Sequence, residues 1–127
     1  MLDKDEKMNM KENAAPIVLL GEANFEAAVL RSKQPVLVAF WTAWSRACQA
    51  FDPVLQELER DCVGKAKVVK VNADDCLDLS LWYDIQSIPT LLCFVEGKPH
   101  LRIVGTATKQ AILAKLKPFG VVNETAT

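Results

Sequence analysis

Residues 35–48 read Pro-Val-Leu-Val-Ala-Phe-Trp-Thr-Ala-Trp-Ser-Arg-Ala-Cys, and two secondary-structure elements meet in this stretch. Val36 to Phe40 is an apolar run, which is typical of a strand covered on both faces. Ser45 is a residue type that often caps a helix. The chain after it has apolar residues at helical spacing, namely Phe51, Val54, Leu55 and Leu58. We therefore predict a buried strand that leads into a helix running from Ser45 to about Cys62, with Pro53 inside it.

Segments on both sides extend this pattern into an alternation of strands and helices. The predicted strands lie at 17–20, 36–40, 67–71, 90–95 and 101–104, and the predicted helices at 22–31, 45–62, 74–83 and 109–117. The first strand is expected at an edge, and the short turn containing Gly97 predicts that the last two strands form a hairpin. The order β-α-β-α-β-α-β-β-α indicates an α/β fold with a central mixed β-sheet flanked by helices.

The composition is that of one globular domain. The chain has 127 residues, of which 50% are hydrophobic, and a net charge of −1. This charge gives no reason to expect nucleic acid or an anionic membrane as a partner, and no apolar run reaches the roughly 18 residues that span a bilayer. We expect a monomeric domain at 16–120 between tails at 1–15 and 121–127. The N-terminal residues do not resemble a secretory signal, so we expect a cytoplasmic protein.

The cysteines are scattered along the chain rather than clustered. A zinc site needs clustered ligands, so no metal or other cofactor is expected, and isolated thiols suit a reducing compartment. Cys93, inside a predicted strand, is expected in the core, whereas Cys76 is expected to be exposed. The four cysteines are Cys48, Cys62, Cys76 and Cys93.

Several segments, in matching order, resemble the thioredoxin family. Pro35 to Cys48 resembles the family's strand and active-site turn, and Phe51-Asp52-Pro53 sits where the family has a proline inside its helix. Further matches are the run Val-Lys-Val-Asn-Ala-Asp at 69–74, Ile88-Pro89-Thr90 at the family's cis-proline signature, and Gly97 and Gly105 at its hairpin and strand-end glycines. The resemblance runs from about residue 17 to residue 119. It implies the thioredoxin fold and a cis peptide bond before Pro89.

Two departures from the family's pattern affect its chemistry. The family motif is W-C-G-P-C, whereas Trp44 to Cys48 read W-S-R-A-C, so Ser45 occupies the position of the attacking cysteine. The resemblance also places Ala39 where the family usually has a buried aspartate thought to handle protons for the second cysteine, so no carboxylate is expected beside Cys48. A serine hydroxyl is a far weaker acid than a thiol and cannot form a disulfide. We therefore expect the chain to fail at catalytic dithiol-disulfide exchange.

The resemblance also implies a groove that holds a protein or peptide partner in extended form beside Pro89. Ser45 is expected to cap the helix and Cys48 to be mostly covered one turn inside it. Trp41 is expected to pack and Trp82 to cover a helix face. The expected site comprises Cys48 and Ser45 as the catalytic positions, and Trp44, Arg46, Ala47, Ile88 and Pro89 as the substrate groove.

Whether the chain is an enzyme stays open at this point. We favour a binding module in thiol-redox homeostasis, in which the groove is kept and dithiol turnover is lost. The alternatives are a monothiol oxidoreductase or resolving thiol that uses Cys48, and a transferase in which the serine binds the thiolate of glutathione. If Ser45 instead replaces a native cysteine, the native protein is an active thiol-disulfide oxidoreductase.

Overall fold

A computed structural model describes residues 17–121. Its five strands form one sheet in the order β1-β3-β2-β4-β5. The first three strands are parallel to one another, whereas β4 is antiparallel to β2, and β5 to β4. The mixed sheet and the edge position of the first strand are as predicted. The strands are β1 (Val18–Leu20), β2 (Val36–Trp41), β3 (Lys67–Asn72), β4 (Thr90–Val95) and β5 (Lys98–Val104).

The helices also follow the predicted order. They are α1 (Glu22–Phe25, continuing as a π-helix at Glu26–Leu30), α2 (Arg46–Asp61), α3 (Leu77–Trp82) and α4 (Lys109–Leu116), with a 3-10 turn at Lys117–Phe119. None of these helices within residues 17–121 is long and apolar enough to span a membrane. Of the predicted tails, only Val121 falls within the described residues. It is fully buried in the core.

The apolar run of β2 is explained by two hydrophobic cores, one on each face of the sheet. Leu37 and Ala39 point into the core shared with α2 and α4, whereas Val36, Val38 and Phe40 point into the core shared with α1. Successive side chains of a strand face opposite sides, so a strand covered on both faces needs apolar residues throughout. The end of β2 is thereby held in place by both layers.

The end of β2 and the start of β4 meet at one edge of the sheet. Phe40 pairs with Thr90 in the antiparallel register, which puts Pro89 next to the chain that leaves β2. The Ile88–Pro89 peptide bond is cis. The carbonyl of Pro89 accepts a hydrogen bond from Gly105 N at 2.8 Å, and Thr90 Oγ1 donates to the carbonyl of Ser87 at 2.6 Å. One hydrogen bond therefore joins the segment before β4 to the residue that follows β5, and another joins it to the first residue of β4. The segment is held in this way beside the start of α2.

The region around α3 corrects two predictions. Trp82 does not cover a helix face, because 80% of its surface is exposed. The inward side of this short helix is taken instead by Leu79, followed by Tyr83, both of which pack against the core. Cys76, expected to be exposed, is buried, because it is the N-cap residue of α3 and faces the same core. The helix also begins at Leu77, three residues after its predicted start.

Candidate functional site

Ser45 caps helix α2, as predicted. Its backbone is extended, with φ −82° and ψ 123°, and its side chain accepts a hydrogen bond from the backbone N–H of Cys48. The distance from Cys48 N to Ser45 Oγ is 3.2 Å. Ser45 and Cys48 retain only 8% and 5% of their exposure, which confirms that Cys48 is covered. The hydroxyl thus satisfies one of the free N–H groups at the helix start.

This arrangement does not make Ser45 a nucleophile. A serine hydroxyl attacks only when a neighbouring base removes its proton. The chain has one histidine, His100, and its ring packs 6.2 Å from that of Phe119 after α4. Within the motif, thiol chemistry is therefore left to the sulfur of Cys48.

A small cavity adjoins Cys48. Its walls include Cys48 and Asp52 from α2, Trp41 from β2, Lys70 from β3, and Pro89 from the segment before β4. Its volume of about 10 Å³ is enough for roughly one water molecule. The structure therefore brings Cys48 and Pro89, both predicted from the sequence, to one cavity, although they lie far apart in the chain.

The cavity also contains a charged pair that the sequence reasoning missed. Lys70 Nζ lies 2.9 Å from Asp52 Oδ1 and 4.5 Å from the centroid of the Trp41 ring. The sequence reasoning considered only the strand position, Ala39, and did not expect a carboxylate from α2 to line the same cavity as Cys48. The available signal was the spacing of Cys48 and Asp52, since residues four apart lie on the same side of a helix.

The predicted groove residues differ in how accessible they are. Trp44 is 68% exposed, and its indole Nε1 donates to Asp74 Oδ2 at 2.7 Å, so an exposed aromatic surface is held in a defined orientation. Arg46 and Ala47 are exposed, Ile88 is half-buried and Pro89 is buried. Trp41 is half-buried with its ring against Lys70, in agreement with a packing role.

The three cysteines outside the motif have the character of structural thiols. Burial is the main cause that raises the pKa of Cys62 to about 12 and the pKa of Cys93 to about 11. Burial also raises the pKa of Cys76, with Glu22 and Asp75 as further causes. All four cysteines of the chain are free thiols. The three outside the motif are therefore protonated at neutral pH and are poor nucleophiles.

The fold and site together define a class of protein: a mixed five-stranded sheet that carries a thiol at a helix start, next to a cis-proline. The family model for thioredoxin matches residues 16–118. The chain therefore belongs to the thioredoxin family.

Relatives named as thioredoxins agree with this assignment. Thioredoxin C-2 of Corynebacterium nephridii is 42% identical over 101 residues, which cover 80% of this chain and 94% of that protein. The thioredoxin of Pseudomonas aeruginosa is 40% identical over 100 residues, covering 79% of this chain and 93% of that protein. The chloroplastic M-type thioredoxin of Triticum aestivum is 38% identical over 96 residues, and the match spans 76% of this chain but only 55% of that longer protein. These relatives support a thioredoxin-like redox protein.

Proposed function

We propose that this chain is a thioredoxin-like protein that binds a protein or peptide partner and does not catalyse dithiol-disulfide exchange. One observation carries the proposal: the position of the attacking thiol holds the hydroxyl of Ser45, which accepts the N–H of Cys48 at 3.2 Å. Exchange by this family requires one thiolate that attacks and a second sulfur that resolves the mixed disulfide. Cys48 alone cannot do both.

The surroundings of Cys48 support a retained binding surface. Trp44 offers an exposed indole fixed by Asp74, and the half-buried side chain of Ile88 precedes the cis bond to Pro89. The backbone at Ile88 lies before β4 and outside the strands of the sheet, so it can pair with an extended peptide. Exposed apolar side chains supply contact area. The free thiols support a reducing compartment such as the cytoplasm.

The test of lost exchange is the reduction of insulin disulfides with dithiothreitol as the electron source. The wild-type chain should not exceed the uncatalysed rate, and the Ser45→Cys variant should exceed it, because the attacking sulfur of the motif is restored. Ser45→Ala is the matched control, since it changes the same position without adding a thiol, and it should stay inactive. Turnover by the wild-type chain that disappears in Cys48→Ser would contradict the proposal.

The test of binding uses the insulin B chain, with its thiols alkylated, as an extended polypeptide probe. We expect backbone amide shifts in nuclear magnetic resonance spectra to concentrate around Trp44 and Ile88. Trp44→Ala should weaken binding. Trp82→Ala is the control and should not, because it removes another exposed tryptophan, on α3, that is not one of the expected groove residues. Shifts spread evenly over the surface would remove the support for a groove.

A second candidate, a monothiol enzyme, is favoured by the ionisable groups that share the cavity with Cys48. Against it stands the burial of the sulfur-bearing residue, which is 5% exposed. Alkylation of the native protein followed by mass spectrometry separates the two candidates. If Cys48 is modified before the other three cysteines, and well below the free-thiol pKa of about 8.5, the monothiol candidate becomes the better one.

A further inference from the structure

Helix α3 has an apolar outer side that residues 17–121 leave open to solvent. Leu77, Leu81 and Trp82, here called the outer α3 face, are 63%, 78% and 80% exposed. Leu77 and Leu81 lie four residues apart, so they are neighbours on one side of the helix. Eight large apolar side chains of the described residues are more than half exposed, and three of them lie on this six-residue helix. Single exposed apolar residues are ordinary on a protein surface, whereas a cluster of them marks an interaction site.

The inner side and both ends of α3 are fixed, which gives the outer α3 face a defined shape. Leu79 packs into the core. At the start of the helix, Glu22 Oε2 accepts the backbone N–H of Asp78 at 2.9 Å. At its end, the guanidinium of Arg102 from β5 donates to the carbonyl of Tyr83 at 2.6 Å. Because the helix cannot turn without losing these contacts, its leucines and tryptophan stay outward, and a preorganised surface loses less entropy on binding.

The surroundings of the outer α3 face are acidic. Asp75 lies two residues before the helix, Asp78 lies in its first turn and Asp84 follows its end, and all three are exposed. The chain has no lysine or arginine from residue 71 to residue 97. Within the described part of the chain, the ion pairs are formed by other residues than these three. Arg102 donates to backbone carbonyls and offsets only part of the negative charge.

This charge distinguishes between the partners that could cover the face. Two copies of the outer α3 face would bring carboxylates together, which opposes a homodimer. Residues 1–16 contain three lysines and four acidic residues, so charge does not favour the N-terminal segment either. An anionic membrane surface is opposed by the same repulsion. The complementary occupant is a polypeptide whose apolar side chains are flanked by lysine and arginine, which is the pattern of a basic amphipathic helix.

We propose that the outer α3 face, with Asp75 and Asp78 beside it, is a docking surface for a basic amphipathic segment of a partner protein. Apolar contact with the leucines and the tryptophan supplies most of the affinity, and the carboxylates orient the segment and speed its encounter. The residues of this surface are not those of the groove beside Pro89. The proposal therefore goes beyond the proposed function, and failed insulin or groove assays leave its test intact.

The test uses two synthetic peptides as probes. One has leucines at helical spacing and lysines at the other positions, and the second keeps the leucines and has glutamates in place of the lysines. The fluorescence anisotropy of each labelled peptide is titrated with the full chain under reducing conditions, at low and at high salt. We expect the lysine peptide to bind at least about tenfold more tightly than the glutamate peptide, and added salt should narrow the difference.

Substitutions on the chain locate the binding surface. Trp82→Ala and Leu81→Ser should each weaken binding of the lysine peptide by about tenfold or more. Asp78→Asn should have a smaller effect at low salt and should reduce the salt dependence. Val63→Ser is the matched apolar control, because Val63 is 58% exposed but lies after α2. Glu96→Gln is the charge control, because Glu96 is exposed in the β4–β5 turn, and both controls should bind like the wild-type chain.

Nuclear magnetic resonance spectra of the full chain separate this surface from the groove. Amide shifts caused by the lysine peptide should concentrate at residues 74–85. Shifts concentrated around Trp44 and Ile88 instead would assign the peptide to the groove and overturn the proposal. Circular dichroism checks that the variants fold, and Leu77→Ser replaces any leucine or tryptophan variant that does not.

Further outcomes would also overturn the proposal. Equal affinity for the two peptides would remove the role of charge, and undiminished binding by folded Trp82→Ala and Leu81→Ser would remove the role of the outer α3 face. If the free chain sediments as a dimer that Leu81→Ser converts to a monomer, the occupant is a second copy. If nuclear Overhauser contacts join the Trp82 indole to residues 1–16 in the free chain, the occupant is the N-terminal segment.

Discussion

Ser45 Oγ lies 3.2 Å from the backbone nitrogen of Cys48. This hydrogen bond shows that a serine at this position caps the helix, although it lacks the thiol of the family's attacking cysteine. The oxygen accepts the N–H of the first helical turn, so α2 begins directly after Ser45, as predicted. A serine has no sulfur to form a thiolate, and its hydroxyl attacks only with the help of a neighbouring base, so the nucleophilic property is absent. A change of one atom at a helix cap can therefore leave the fold intact and alter the chemistry.

The buried thiols at the centre of the molecule lead to a prediction about alkaline pH. The pKa values of Cys62 and Cys93 are raised from 9.0 to about 12 and about 11, so the unfolded chain loses these protons first. The stabilisation is intact below about pH 9 and is lost as pH rises toward the folded values. Between about pH 9 and about pH 11, the free energy of unfolding should fall by about 1.4 kcal/mol per pH unit for each thiol.

Urea unfolding at a series of pH values measures this loss. Cys93→Val replaces the thiol with a side chain of similar volume that has no proton to lose. Its free energy of unfolding should decline less steeply above about pH 9, because only Cys62 of the two thiols still contributes. Parallel declines in the variant and the wild-type chain would mean that Cys93 does not contribute.

At the scale of elements, α3 shows how a short helix divides its apolar residues between core and solvent. Its first turn is capped by Glu22, whose Oε2 accepts the N–H of Asp78 at 2.9 Å. Tyr83, directly after the helix, packs its ring against Phe25 and Phe94. With this side turned inward, Trp82 points to solvent.

Adjacent aromatic residues at this helix end give a matched pair of substitutions. Trp82→Ser should change the free energy of unfolding by less than about 0.5 kcal/mol, because the side chain makes few contacts. Tyr83→Ser should cost at least about 2 kcal/mol, because it removes a ring from the aromatic cluster. Urea unfolding measures both, and equal losses would contradict the orientation of α3.

At the scale of the whole molecule, the β4–β5 hairpin turn abuts the end of α1. Gly97 has φ +81°, and a Cβ placed on it would lie 2.7 Å from the backbone oxygen of Leu30. Gly105 has almost the same φ, +83°, but nothing lies within 4 Å of its Cβ position. The two glycines share a backbone conformation and differ in tertiary surroundings.

This difference predicts the effect of two alanine substitutions. Gly105→Ala should cost about 1–2 kcal/mol, the strain of a left-handed conformation. Gly97→Ala carries the same strain plus a clash with backbone that cannot move aside, so we expect at least about 1 kcal/mol more. Thermal or urea unfolding of both variants gives the comparison. Equal losses would mean that the hairpin and α1 adjust to each other freely.

The sequence by itself determined the parts of this protein that depend on local patterns. The apolar run of β2, the helical spacing after Ser45 and the turn at Gly97 predict the element order, and these signals lie within a few residues of each other. The cap at Ser45 and the covering of Cys48 follow from the same local geometry. The cis bond before Pro89 was expected only through the family resemblance.

Only the tertiary structure decided which side chains from different elements meet. It brought Lys70 of β3 to Asp52 and Cys48 of α2, buried Cys76, and turned Trp82 toward solvent. Sequence periodicity identifies which face of an element is apolar, but the neighbours of that face depend on the packing of the other layers. A carboxylate on a helix can therefore lie beside a thiol even though the matching strand position is an alanine.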